Sequence, residues 1–207
     1  MAPVPVPALG VSRPANARAQ PSAPGAEGGW QFRCPDAGTM VERSGDVARL
    51  VFRGADPAVP LVCRSGQRGA TSLVLGLWRM EQPSVQAALE PLRSLFPARP
   101  GASVHVQYFR DVSQSTVSGF YIDTWRVLGP TRVEVPAGRF DAIGFERETV
   151  SVSSNARRFQ RQVRFWLHAT TGAPLKVEHT PLAGRVDPDL PSWEATALRS
   201  ANRGAQR

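Results

Sequence analysis

Residues 159–168 read FQRQVRFWLH, and the reading of this stretch decides the fold. Phe159, Val163, Phe165 and Leu167 fall on one side of a two-residue period, with Arg161 as the exception. Gln160, Gln162, Arg164, Trp166 and His168 fall on the other. A period of two is that of a half-buried β-strand, because successive side chains leave the backbone on opposite faces. Thr171-Gly172 then supplies a turn, and Leu175–His179 reads as the closing strand. Working back towards the N-terminus, Arg132–Val135 and Phe140–Val152 flank Pro136-Ala137-Gly138, where proline sets the entry angle and glycine can take positive φ. Phe120–Trp125 carries bulk on both faces, and Val104, Val106 and Tyr108 alternate with polar residues. Hairpins in series with one polar face predict an antiparallel sheet.

The N-terminal half adds shorter pieces. Ala48–Arg53 and Val59–Cys63 read as strands around a Gly54-Ala55-Asp56-Pro57 turn. The apolar run Ser72–Met80, SLVLGLWRM, predicts one buried strand. Ser84–Phe96 is the helical segment: Ser84 can cap it, and Val85, Ala88, Leu89, Leu92, Leu95 and Phe96 recur at three- and four-residue spacing. Pro91 inside that pattern predicts a kink or two short helices. The expected fold class is therefore mainly β, one domain over about residues 30–195, with one or two short helices packed on the sheet.

Composition narrows the function classes. Two cysteines cannot build a four-thiolate zinc site, and no apolar run approaches the ~20 residues of a membrane-spanning helix. The formal net charge of +8 raises nucleic acid or an anionic surface as a partner. Yet Lys176 is the only lysine, the arginines are dispersed with only Arg157–Arg158 adjacent, and no nucleic-acid-binding motif occurs, so nucleic acid is disfavoured. Residues 1–29 hold six prolines, four glycines and seven alanines, and residues 196–207 are basic and unpatterned; both are expected to be disordered tails. Ala17-Arg18-Ala19 has the small-x-small form of a leader-cleavage site, without the apolar segment that normally precedes one. A tail and the remnant of a longer leader are both open readings.

The chemistry-bearing residues are sparse. His105, His168 and His179 have no metal-ligand spacing, so no cofactor or metal is expected. Asp141, Glu146 and Glu148 are paired-carboxylate candidates for a hydrolase, but Arg139, Arg147, Arg161 and Arg164 lie among them, and cross-strand ion pairs are the favoured use. No nucleophile elbow, phosphate-binding loop or dinucleotide fingerprint is present, so the chain reads as a non-enzyme. A curled sheet could instead present Tyr121, Trp125 and Trp166 on a concave face with Arg126 or Arg164 at its rim, suited to an amphipathic or anionic ligand. A structural subunit that assembles through a sheet edge is the competing non-catalytic reading. Cys34 and Cys63 flank β-like segments; a bond between them would close a loop of about 30 residues and stabilise by roughly 3–4 kcal/mol, and two buried free thiols are the alternative.

Several short motifs recur together in order. They are Leu95-Phe96-Pro97 with Gly101, then Trp125, then Val133-Glu134-Val135-Pro136-Ala137-Gly138-Arg139-Phe140-Asp141, then Trp166, Gly172 and Pro174-Leu175-Lys176-Val177-Glu178. This order resembles an uncharacterised family of proteobacterial periplasmic or envelope proteins, over roughly residues 92–180. The resemblance implies a half-barrel, a curved antiparallel sheet broadly like lipoprotein-carrier folds. It also implies export to the periplasm or beyond, which favours the disulfide, and an envelope component or lipid-like ligand as partner. It supplies no catalytic residues.

Overall fold

In the computed structural model the described residues are 28–45, 49–66, 70–110, 119–151, 160–183 and 191–200. Among them the chain forms β1 (Met40–Arg43), β2 (Arg49–Ala55), β3 (Val62–Ser65), β4 (Thr71–Val74), β5 (Trp78–Arg79), α1 (Pro83–Arg93) and β6 (Ser103–Arg110). There follow β7 (Gly119–Val135), β8 (Gly138–Ser151), β9 (Gln160–His168), β10 (Pro174–Ala183) and β11 (Trp193–Arg199). All eleven strands join one antiparallel sheet in the order β5-β4-β3-β2-β1-β11-β10-β9-β8-β7-β6. The class is mainly β, as the alternation requires.

The order has a consequence for shape. Its two edge strands, β5 and β6, are consecutive in the chain and are linked through α1. Laid flat, β5 and β7 would stand nine strand spacings apart, about 43 Å. Instead the Trp78 ring on β5 meets the Trp125 ring on β7 at 5.0 Å and the Phe165 ring on β9 at 4.6 Å. The sheet is strongly curled without closing, and α1, packed beside β6, spans the gap between its edges. Native strand twist favours such coiling, and bulges add to it: the β7–β8 register shifts between Val127 and Gly129, with Gly129 at φ 102°. At the far end of the β7–β8 hairpin, the Ala137 N–H donates to the Ala195 carbonyl at 2.9 Å, so the hairpin reaches back to β11.

Several expectations are corrected in detail. Ser72–Met80 is two strands, because Leu75 (φ 52°) and Gly76 (φ 71°) reverse the chain and Val74 pairs with Trp78. The helix begins one residue before Ser84: Gln82 is its N-cap without a side-chain bond, and Pro83 fills the first turn, where its missing N–H costs nothing. It continues through Pro91 as a single helix to Arg93, so the expected division into two helices does not occur. A strand after Leu175–His179 was not expected: β11 follows it and runs to Arg199, past the expected boundary at 195, since Trp193 and Ala195 are buried and Leu198 packs on the core. Phe159, and residues 1–27 and 201–207 of the two expected tails, lie outside the described residues.

A strap made by residues 29–34 crosses one end of the curl. Trp30 forms an isolated bridge with Ala98, and its indole Nε1 donates to the Ala169 carbonyl at 2.6 Å. Its ring lies 6.1 Å from Phe96 and 6.0 Å from Phe145. Cys34 then bonds to Cys63 on β3, with Cα atoms 5.4 Å apart. The strap is thus tied covalently to one half of the sheet and by ring packing to the other.

Candidate functional site

Register assigns every strand residue to a face. On the inner face, Val127, Phe145 and Phe165 align across β7, β8 and β9, and Val177 follows on β10. Trp125 is aligned with Arg147 and Val163, and Asp123 with Thr149 and Arg161. The inner face is therefore apolar towards the strap and polar towards the opposite end. Phe145 and Phe165 stack at 5.1 Å, and Trp78 stands edge-on to Phe165. None of these rings is more than 2% exposed.

The polar half of the interior contains a buried ion pair that sequence reading missed. Arg147 Nε and Nη2 donate to Asp123 Oδ2 at 2.9 and 2.6 Å, and neither side chain is more than 1% exposed. The guanidinium also lies over the Trp125 ring at 4.9 Å and the Trp78 ring at 5.9 Å, an arrangement in which the ring quadrupole attracts the cation. Arg161 points inward too, 2% exposed, with its Nε 3.4 Å from Thr149 Oγ1. Its break in the alternation of FQRQVRFWLH was the available signal: a charged residue at an inward position marks a polar cluster inside.

The outer face carries an ion ladder. Glu146 on β8 accepts from Arg126 Nη1 and Arg164 Nε, both at 3.0 Å, and the two arginines bury its side chain to 6% exposure while staying 47% exposed themselves. Along β10, Lys176 bridges Glu178 at 2.9 Å and Glu194 at 2.8 Å. Hydrogen bonds to Glu194 and Glu178 raise its pKa. The ammonium lies 5.8 Å from the centre of the Trp166 ring. Trp166 in turn covers Gly144 beside Leu128, where a Cβ on Gly144 would stand 3.2 Å from the indole Nε1.

The five expected ligand-contacting residues therefore fall into two groups. Tyr121 and Trp125 are inner-face residues, 5% and 1% exposed. Arg126, Arg164 and Trp166 share the outer face, and the sheet separates them from the first two. One concave face holding all three aromatics does not form, because Trp125 and Trp166 align with β8 residues of opposite parity, Arg147 and Gly144.

The carboxylate trio does not converge on a cleft. Asp141 faces Arg132 at 3.4 Å, Glu146 holds its two arginines, and Glu148 accepts from Gln160 Nε2 at 2.7 Å. His168 Nδ1 accepts from the backbone N–H groups of Thr170 at 3.1 Å and Thr171 at 3.4 Å, which caps the β9–β10 turn. Burial lowers its pKa, and the negative charge of Asp141 opposes that shift. His105 Nδ1 lies 3.0 Å from Thr124 Oγ1. Among the described residues no three His, Cys, Asp or Glu side chains are placed to hold a metal ion, and no helix is long and apolar enough to cross a membrane. A shallow groove of about 350 Å³ lies beside the disulfide, bounded by Phe32, Asp36, Asp56 and Leu61.

No protein-family model matches the chain, and no curated protein matches it. Among solved structures it is similar to the hypothetical lipoprotein YmcC from Escherichia coli, with 14% identity and a TM-score of 0.42 over 72% of this chain and 84% of that one. It is also similar to a Bacteroides fragilis protein described as having a YmcC-like fold, with 11% identity and a TM-score of 0.36 over 82% of this chain and 99% of that one.

Proposed function

We propose that the protein is an exported, non-catalytic component of the bacterial envelope that works through its outer surface, engaging an amphipathic or protein partner there. The observation that carries this reading is the filling of the concave face. Trp78, delivered by an edge strand, packs against Trp125 and Phe165 where a carrier would keep a cavity for a small molecule. Binding therefore falls to the outer face, with Arg126, Arg164 and Trp166 as its contact set and with Tyr121 and Trp125 supporting β7 from beneath.

Three further observations agree. The Cys34–Cys63 bond suits an oxidising compartment, the periplasm or the exterior. The motif order resembles envelope proteins. The paired state of Asp141, Glu146 and Glu148 leaves these carboxylates no obvious acid–base task.

Native mass spectrometry of protein recovered from the periplasm tests the reading. The expected species is the disulfide-bonded chain with no small molecule retained inside. A lipid or other small molecule carried through at one per chain would contradict it, as would two free thiols.

A further inference from the structure

We propose that the strap is released from the β9–β10 turn when His168 takes up a second proton, so that acid loosens the cover over the apolar end of the curl. The inference goes beyond the outer-surface reading above and does not depend on it.

The turn is where the strap is held on this side of the sheet. Trp30 Nε1 donates to the Ala169 carbonyl at 2.6 Å. Further along the strap, the Arg33 carbonyl lies so close to Gly172 that a Cβ there would collide with it. Ala169 and Gly172 both belong to the reversal between β9 and β10, and its shape hangs on one imidazole nitrogen. His168 Nδ1 accepts from the N–H groups of Thr170 and Thr171, and the Gly172 N–H returns to the His168 carbonyl at 2.9 Å. These bonds assign the single proton of the neutral ring to Nε2. A second proton goes to Nδ1, which then meets two N–H donors with a third. The turn rearranges, and the Ala169 carbonyl and Gly172 move with it.

Two attachments do not pass through the turn: the bridge to Ala98 and the Cys34–Cys63 bond. The strap therefore stays tethered and redocks when the proton leaves. Beneath Trp30 lie the Phe96 and Phe145 rings, 6.1 and 6.0 Å from its own.

The charges around the imidazole come from three strands and the strap. Asp141 on β8 faces Arg132 on β7 at 3.4 Å, and Arg33 on the strap pairs with Asp36 at 3.0 Å. Lys176 on β10 is engaged with Glu178 and Glu194. Burial of the ring disfavours the added proton and outweighs the Asp141 carboxylate, which favours it, so uptake lies below pH 6.5. The native turn accepts only the neutral ring, and by linkage the proton favours the rearranged one.

Hydrogen exchange of the oxidised full chain, resolved by residue with NMR at about pH 7.5 and about pH 5, tests this across the histidine range. Protection of the Trp30 indole N–H and the Gly172 amide should fall about fivefold or more at the lower pH, the size set by one lost hydrogen bond. His168→Asn offers the N–H two residues on a carbonyl acceptor that does not titrate, and it should show no such fall. Gly172→Ala should leave the Trp30 indole poorly protected at both pH values, because its Cβ displaces the Arg33 carbonyl. The Phe145 and Phe165 amides, in the β8–β9 ladder, should keep their protection throughout. In the wild type the Trp30 indole resonance should shift with the same midpoint as the His168 ring. Equal losses in wild type and His168→Asn would overturn the proposal, and so would losses shared by Phe145 and Phe165, which would mean global unfolding. Unequal midpoints would overturn it as well, as would a Trp30 indole still protected in Gly172→Ala.

Discussion

Asp123 and Arg147 illustrate what a single residue does in this fold. Each is almost completely out of water, so removing one leaves an uncompensated charge in the interior. Asp123→Ala should destabilise the protein by about 3–5 kcal/mol, read from chemical denaturation. The double change Asp123→Leu with Arg147→Met should recover much of that loss, because a well-packed apolar pair has no desolvation penalty. An additive double mutant would show that the two charges do not meet. His168 gives a pH-dependent counterpart. Its folded-state pKa lies below the ordinary 6.5, so its contribution is fully present above that value and declines as pH falls towards the folded pKa. Melting temperatures between pH 8 and pH 5 should fall less in His168→Gln than in the wild type; parallel curves would contradict this. Neither feature was legible beforehand. Alternation fixes a face, but only packing tells whether an inward charge finds a partner.

At the scale of elements, the sequence was clearest where one face is wet. FQRQVRFWLH and the hairpin around Pro136-Ala137 follow the period-two rule, and β8, β9 and β10 appear close to their expected places. It was least clear where both faces are dry. SLVLGLWRM has no polar residue to mark its reversal before Arg79, and the turn is signalled by Gly76 alone. At φ 71°, a side chain there is strained, and a Cβ would stand 3.3 Å from Phe52 Cε1. Gly76→Ala should cost about 1–2 kcal/mol from backbone conformation, with the contact adding to it. Gly45→Ala, at φ 73° with nothing within 4 Å, isolates the backbone part. Equal losses in the two variants would show that Phe52 yields freely. The ligand set was half legible for a related reason: Trp125 and Trp166 both sit beside polar neighbours in sequence, and parity across β8 was needed to part them.

For the molecule as a whole, the curl depends on contacts that span the chain. The strap brings Cys34 to Cys63 across 29 residues, and losing that link should cost about 3–4 kcal/mol on the chain-entropy view. Cys34→Ser with Cys63→Ser should lower the denaturation midpoint accordingly, and a midpoint equal to the wild type would mean that the strap holds without its covalent tie. The edge-to-edge passage through α1 was not visible in the sequence, because pairing order depends on long-range contacts that local periodicity does not encode. That passage brings Trp78 beneath Trp125 and fills the concave face. The most direct test is a nuclear Overhauser measurement between the indole protons of Trp78 and Trp125 in the oxidised chain. Rings 5.0 Å apart predict strong cross-peaks. An absent cross-peak, with the Trp78 indole accessible to a soluble quencher, would mean an open sheet with a vacant concave face and would contradict the account.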